Sequence, residues 1–420
     1  MKKRCSLNSK TLENKYEEDI ISSLPEPILH YILSYLPTKD AAKTCALSKT
    51  WNATWKSFPI LVFNQYSFQE SAYSRTAHKN HNELTRDFCD YVDEFMTSRE
   101  GLTSIEKFQV VVNFQGCRLK YHRNLDRWLN YAIDNNVEDL VLAYHTRATT
   151  KGEHWYYNLP LSLFRSKSLK NLDLFGCQFT ASRFSTGIGF SLRKLRLSQV
   201  YIDQETLQGI VSSSCLLEEL SVRFCKGFQV VRVAGPKLET VDLYLGRDQV
   251  QIVAIAAPNL HSLSYGGGSA SVRGSLQASE KYENLKDLRL HDTDITDDFF
   301  QVIPEFPGLD KLELNKCCLL ERIRISSVQI LDLCIDDCAK LKEIELDTRR
   351  LSRFRCCFVA AFATNETCSD FSIVLGNTNL REELSGPSER ESTWGRGGAC
   401  WRMAGIRCGT IGECEMPQQW

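Results

Sequence analysis

Leu169-Lys170-Asn171-Leu172-Asp173-Leu174 is the clearest copy of a pattern, apolar-x-x-apolar-x-apolar, that decides how most of this chain folds. It returns as Leu192-Arg193-Lys194-Leu195-Arg196-Leu197, Leu217-Glu218-Glu219-Leu220-Ser221-Val222, Leu285-Lys286-Asp287-Leu288-Arg289-Leu290 and Leu309-Asp310-Lys311-Leu312-Glu313-Leu314. Weaker copies start at Ile105, Val137, Leu238, Leu260 and Leu341. Between 169 and 309 successive starts stand 21 to 25 residues apart, a spacing typical of a solenoid repeat. Each copy is a strand too short to bury its own apolar residues. Neighbouring copies must therefore stack into a curved parallel sheet.

Other residues fall into place around the copies. Cys177, Cys225 and Cys317 each lie eight positions after the first leucine of their copy, in the turn leaving the strand, where a buried structural thiol is expected. Residues 124–133 and 204–211 carry helical spacing and belong on the outer face. Segments 228–233 and 250–255 are β-branched and lead to Pro236 and Pro258, which predicts strands there instead. Near the end, 320–325 and 341–346 repeat 21 residues apart, interleaved with 328–333 and 351–356. From Ala360 the period is lost.

Ahead of the repeats lies the stretch 19–63, DIISSLPEPILHYILSYLPTKDAAKTCALSKTWNATWKSFPILVF. Proline is tolerated in a first helical turn, so Leu24-Pro25 opens a helix whose apolar stripe is Ile28, Leu29, Ile32, Leu33 and Leu36, closed by Pro37. Thr38 and Ser48 are candidate caps for a second and third helix, the third carrying Trp51 and Trp55. So small a unit needs a partner surface. Residues 65–82 show no period. After them Leu84, Phe88, Tyr91, Val92 and Phe95 mark an amphipathic helix that bridges the two parts.

Leu24-Pro25, Ile28-Leu29, Ile32-Leu33, Leu36-Pro37, Leu47 and Trp51 at this spacing resemble the plant F-box, and the repeats resemble leucine-rich repeats. Together they resemble the plant F-box/leucine-rich-repeat family, some members of which carry a C-terminal FBD domain. Pro27 and Thr50 depart from the family pattern, which has an acidic residue and an arginine there. The resemblance implies an α/β architecture, a three-helix F-box at 19–63 followed by an irregular leucine-rich-repeat solenoid at 105–356. A disordered start at 1–18, a linker and bridging helix at 64–104 and an irregular, disordered tail at 357–420 complete the expected division. It further implies a substrate-recognition subunit of an SCF-type (cullin-RING) ubiquitin ligase. Leu24, Pro25, Ile28, Leu29, Ile32, Leu33, Leu36, Pro37, Leu47 and Trp51 would bind the Skp-type adaptor, and charges at Leu29 and Leu33 would abolish that binding. A non-catalytic interaction scaffold without ligase coupling is the alternative.

Composition narrows the rest. Lys and Arg number 51 against 52 Asp and Glu, a net charge of -1, so no global basic field calls for nucleic acid or an anionic membrane. Seventeen cysteines include no Cys-x-x-Cys pair, and no apolar run reaches membrane-spanning length. Reduced thiols in cytoplasm or nucleus follow. His78 and His81 lack neighbouring ligands, Gly266-Gly267-Gly268 lacks the following Gly-Lys-Ser/Thr of a phosphate loop, and Asp292, Asp294, Asp297 and Asp298 lack the calcium-loop pattern. No catalytic residue, metal or cofactor is expected.

Recognition remains. Residues between and after the inward leucines face the concave side: Asn171, Asp173, Phe175, Lys194, Arg196, Glu219, Arg223, Asp242, Tyr244, Arg289, His291, Lys311 and Glu313. Arginine and aromatic side chains are enriched in binding hot spots. Phe175, Arg196, Arg223, Tyr244 and Arg289 are therefore the candidates for binding a protein target.

Overall fold

A computed structural model of the chain describes residues 20–73, 80–99, 105–114, 118–145, 156–160, 162–163, 166–179, 192–246, 252–267, 282–358, 372–375 and 399–403. Among them the repeats build one main sheet of thirteen strands. In chain order these are β1 (Ile60–Asn64), β2 (Lys107–Asn113), β3 (Asp139–His145), β4 (Asn171–Phe175), β5 (Lys194–Ser198), β6 (Glu219–Arg223) and β7 (Thr240–Tyr244). They continue as β8 (Ser262–Gly266), β9 (Asp287–His291), β10 (Lys311–Asn315), β11 (Asp332–Asp336), β12 (Arg353–Phe358) and β13 (Ala399–Met403). Chain order and sheet order coincide. Among the described residues of this sheet, only the β12–β13 pairing is antiparallel.

The register explains the pattern. Leu172, Leu195, Leu220, Val241, Leu263, Leu288, Leu312 and Leu333 stand opposite one another across successive strands, all buried. Strands such as β4, β7, β9 and β10 alternate strictly between half-buried and buried residues. A period of two with one apolar side leaves the other side of the sheet open. The covered side carries the expected mixture. Helices Arg118–Asp134 and Gln204–Ser213 lie where helical spacing was read, and strands Val230–Ala234 and Ile252–Ala256 pair in parallel where β-branched residues cluster.

Cys177, Cys225 and Cys317 sit buried in the strand-exit turns as expected, and Cys338 repeats the arrangement eight residues after Ile330. Their thiols donate to backbone carbonyls, Cys225 to Leu197 O at 3.4 Å and Cys317 to Leu290 O at 3.7 Å. Two expectations change. The copy at Leu341 belongs to the covered side, where Glu343–Asp347 pairs with Arg322–Ser326, while β11 and β12, after Ile330 and Leu351, continue the main sheet. Both layers carry the same apolar spacing here, so the spacing alone does not assign the layer. The tail also contributes strands: Ser372–Leu375 extends the outer sheet with Ile373 and Leu375 buried, and β13 closes the main one.

The N-terminal unit contains α1 (Glu26–Ser34), α2 (Thr38–Lys43), a short 3-10 turn and α3 (Lys49–Ser57). Pro25 precedes α1, and Ser48 caps α3 by accepting from Trp51 N at 3.2 Å. Thr38 is no cap. Its hydroxyl donates to Val62 O at 2.6 Å and accepts from Val62 N at 3.0 Å, engaging the outermost strand of the main sheet. That strand, β1, lies inside the stretch assigned to the F-box, so the helical unit and the solenoid share one sheet. Helix α4 (Gln65–Tyr73) forms although its sequence shows no apolar period. Helix α5 (His81–Ser98), started by a capping box between Asn80 and Glu83, buries Leu84, Phe88, Val92 and Phe95 as its spacing predicts. It is the bridge: Phe95 meets Trp55 and Phe63 edge-on, with ring centroids 5.3 and 5.0 Å apart.

Candidate functional site

The first candidate surface lies on α1 and its flanks, where the ten expected adaptor residues divide. Leu29 and Leu33 are 1% and 0% exposed, and Trp51 is buried, so these three hold the helical unit together. Leu24 and Ile32 are half-buried against the same core. Pro25, Ile28, Leu36, Pro37 and Leu47 face solvent, with Ile28 46% and Leu47 68% exposed. A charge at Leu29 or Leu33 therefore reports on folding before it reports on docking. Sequence reading missed Ile20, Ile21, Tyr31 and Tyr35, all exposed. Tyr31 and Tyr35 follow Ile28 at helical spacing, pack edge-on at 5.0 Å, and are joined by a Tyr35 to Tyr31 hydroxyl hydrogen bond that raises the Tyr35 pKa. The signal was present as a second apolar line along α1. Polar pairing holds the helix in place from behind, through the His30 ring nitrogen, 3.2 Å from Thr54 O and 3.1 Å from Ser57 Oγ.

Beneath α3 lies Arg99, buried in the described structure. Its guanidinium donates to Trp55 O at 2.8 Å and Phe58 O at 2.7 Å, and stacks 5.3 Å from the Trp55 ring. These carbonyls end α3, where a cation complements the helix dipole. Burial lowers the Arg99 pKa.

The second surface is the open side of the main sheet, where all five expected target residues point outward. Arg196 pairs with Glu219 at 2.6 Å, and Lys194 approaches the same carboxylate at 3.4 Å. Arg223 pairs with Asp242 at 2.5 Å, which also accepts from Ser221 at 2.9 Å. Arg289 is held by Asp287 at 2.5 Å, a bond that raises its pKa, with Glu313 3.8 Å away. Glu219 and Asp242 stand diagonally across from Arg196 and Arg223 on the next strand, while Asp287 lies two residues before Arg289 on its own strand, so each arginine is oriented by a carboxylate of the sheet. Phe175 packs 4.6 Å from His145 and Tyr244 packs 4.6 Å from Phe224. Phe224 is 53% exposed and was not legible as a candidate, because it lies one position beyond the strand. Burial lowers the pKa of both His145 and His291.

Among the described residues no cluster of His, Cys, Asp or Glu is arranged to hold a metal ion. Asp297 accepts from Glu321 N at 2.9 Å and Arg322 N at 3.0 Å. His81 and Gly267 are described, whereas His78 and Gly268 lie outside the described residues. Also among the described residues, no helix is long and apolar enough to cross a membrane.

Comparison with known proteins bears out the resemblance. Residues 21–63 match the family model of the F-box domain, and residues 98–284 match that of the At1g61320/AtMIF1 LRR domain. Similar proteins from Arabidopsis thaliana include putative F-box/LRR-repeat protein At5g54820, 29% identical over 261 residues covering 60% of this chain and 52% of that protein. F-box/FBD/LRR-repeat protein At1g13570 is 28% identical over 246 residues, 59% of this chain and 53% of that protein. Putative F-box/FBD/LRR-repeat protein At5g22610 is 25% identical over 382 residues, 79% of this chain and 71% of that protein. The chain thus spans about half the length of the first two relatives.

Proposed function

We propose that this chain, which joins an F-box domain to leucine-rich repeats as its Arabidopsis relatives do, is the substrate-recognition subunit of an SCF-type ubiquitin ligase. One observation carries the reading. Helix α1 has two apolar lines, and only the Leu29 and Leu33 line is used by the fold. The other, Ile28, Tyr31 and Tyr35, together with Ile20, Ile21, Leu36 and Leu47, is left in solvent. Exposed apolar residues gathered on a small unit mark an interaction site, and in an F-box that site receives the Skp-type adaptor. Burying Ile28 and Leu47 against a partner yields about 1.5–3 kcal/mol each.

The solenoid then holds the target, and other subunits transfer ubiquitin. Its contribution is proximity, which raises the local concentration of target lysines near the conjugating enzyme. The chain performs no chemistry of its own and works in cytoplasm or nucleus. Pro27 and Thr50, both exposed beside the proposed adaptor face, support the second reading, a non-catalytic scaffold without ligase coupling.

The lifetime of the solenoid's partners separates the two. Partners captured by proximity labelling are followed in a cycloheximide chase after the protein is depleted. The receptor reading expects at least one partner's half-life to lengthen several-fold and to return on re-expression. Partners that redistribute with unchanged half-lives establish the scaffold instead.

A further inference from the structure

Each strand of the main sheet presents every second residue on its open side, and parallel register sorts those residues into rows across the strands. Phe175, Ser198, Arg223 and Tyr244 stand side by side in one row on β4 to β7, with Asp173, Arg196, Ser221 and Asp242 in the row beneath. In the middle, on β5 and β6, the two rows make a block of four: Ser198 beside Arg223, above Arg196 beside Ser221. The block holds two guanidinium groups and two hydroxyls. No carboxylate belongs to it.

The acids lie around the block and hold its arginines from outside. Glu219, at the start of β6, takes Nε and Nη2 of Arg196 at 2.7 and 2.6 Å. Asp242, on β7, takes Nε of Arg223 at 2.5 Å and the Ser221 hydroxyl at 2.9 Å. Asp173 stands opposite Arg196 on β4. Among the described residues, the two terminal nitrogens of Arg223 and the Ser198 hydroxyl make no hydrogen bond. Exposure decides what the surface presents: the Arg196 and Arg223 side chains are 49% and 52% exposed, those of Glu219 and Asp242 only 19% and 16%. A partner crossing here meets guanidinium first. Arginine offers paired N–H donors that match an oxyanion, and a carboxylate that fixes one edge of the fork leaves the other free to do so.

Aromatic rings close the row at both ends. Phe175 packs 4.6 Å from His145, with Tyr66 5.8 Å beyond it. Tyr244 packs 4.6 Å from Phe224 and lies over Gly266, where a Cβ would stand 2.8 Å from its ring. Strands about 4.8 Å apart place the midpoint of Ser198 and Arg223 about 7 Å from Phe175, and Tyr244 about 14 Å from it. An extended chain crossing the strands advances about 6.7 Å every second residue and keeps those side chains on one side. One residue over Phe175 therefore sets its second successor over the block and its fourth over Tyr244. Rings pair edge-on or offset, so aromatic side chains suit the outer places and an oxyanion the middle one.

We propose that the open side of β4 to β7 binds an extended target segment with a glutamate or aspartate midway between two aromatic residues four positions apart. This deepens the receptor reading by naming a class of target segment, and it rests on the solenoid being the target-binding half. Fluorescein-labelled peptide GSWSESWSG is titrated with the full chain by anisotropy. Its companions are GSWSQSWSG, which removes the central charge, and GSASESASG, which removes the rings.

The first peptide should bind at least tenfold more tightly than either companion. Its affinity should fall several-fold between about 50 and about 500 mM sodium chloride while that of GSWSQSWSG holds, because salt screens a charge pair at the surface. Arg223→Gln keeps a donor for Asp242 without the charge. It should bind GSWSQSWSG as wild type does and lose most of the preference for glutamate over glutamine. No binding of the first peptide, equal affinity for it and either companion, a salt-independent affinity, or an undiminished glutamate preference in Arg223→Gln each overturns the proposal. If that variant does not melt as a folded protein, the wild-type salt series decides alone. Adaptor capture by the same preparations is scored separately: failure there removes the ligase reading, while the peptide series still decides the sheet.

Discussion

Cys177 and Cys225 show how a single residue type becomes intelligible once its offset within the repeat is known. Both are buried at strand exits, and burial pushes the Cys225 thiol up to about 12 from an ordinary 9.0. The Cys177 thiol is raised as well. A thiol is nucleophilic only as its thiolate, so iodoacetamide at pH 8 should label exposed Cys215 and Cys318 in the native protein and leave Cys177 and Cys225 unlabelled. Mass spectrometry reads the outcome, and native labelling of Cys177 or Cys225 contradicts the structure. The sign of the pH effect also follows. The unfolded thiol ionises first, so the Cys225 contribution is intact below the ordinary value and declines as pH climbs toward 12. The offset of eight was legible at Cys177, Cys225 and Cys317. Cys338 escaped notice because its copy begins with Ile330 and overlaps the outer-layer pattern at Leu341. Phe224 was illegible for another reason: it lies one position past its strand, with a left-handed backbone of φ 52°, where the alternation of the repeat no longer assigns a side.

Helix α1 was legible as a helix from its spacing, but its orientation was not. Leu29 and Leu33 form one apolar line and Ile28, Tyr31 and Tyr35 another, and only the position of α3 and β1 decides which turns inward. Helix α4 left no periodic trace at all, since it is held by neighbours: Gln65 donates to Thr85 at 2.9 Å and accepts from Asn113 N at 2.8 Å. Helix α3 ends on Arg99, a residue that sequence reading did not single out. Replacing Arg99 with Met keeps the bulk but leaves the Trp55 and Phe58 carbonyls without their buried donor. A loss of about 2–4 kcal/mol in denaturant unfolding is expected, concentrated at α1 and α3 in hydrogen exchange. Unchanged protection there would mean that Arg99 does not fasten the helical unit.

At the scale of the molecule, sheet and helical unit are continuous. β1 is the edge strand of the main sheet, and Thr38 at the start of α2 engages its Val62 backbone, so this edge is guarded by the unit it supports. The division into helices and solenoid was legible because their periods differ, 3.6 against 2. The shared sheet was not, because β1 is separated from β2 by two helices and carries no repeat spacing. This continuity fixes the exposed apolar line of α1 at one end and the open side of the sheet beside it, the arrangement that the proposed receptor role would use. The most direct test is calorimetric titration of the full chain with a purified Skp-type adaptor, comparing wild type with Ile28→Glu/Leu47→Glu. Both substituted positions are exposed, so the variant should melt as wild type does. The account predicts that wild type binds and that the variant loses affinity at least a hundredfold; a wild-type chain that does not bind, or a folded variant that binds equally well, contradicts it.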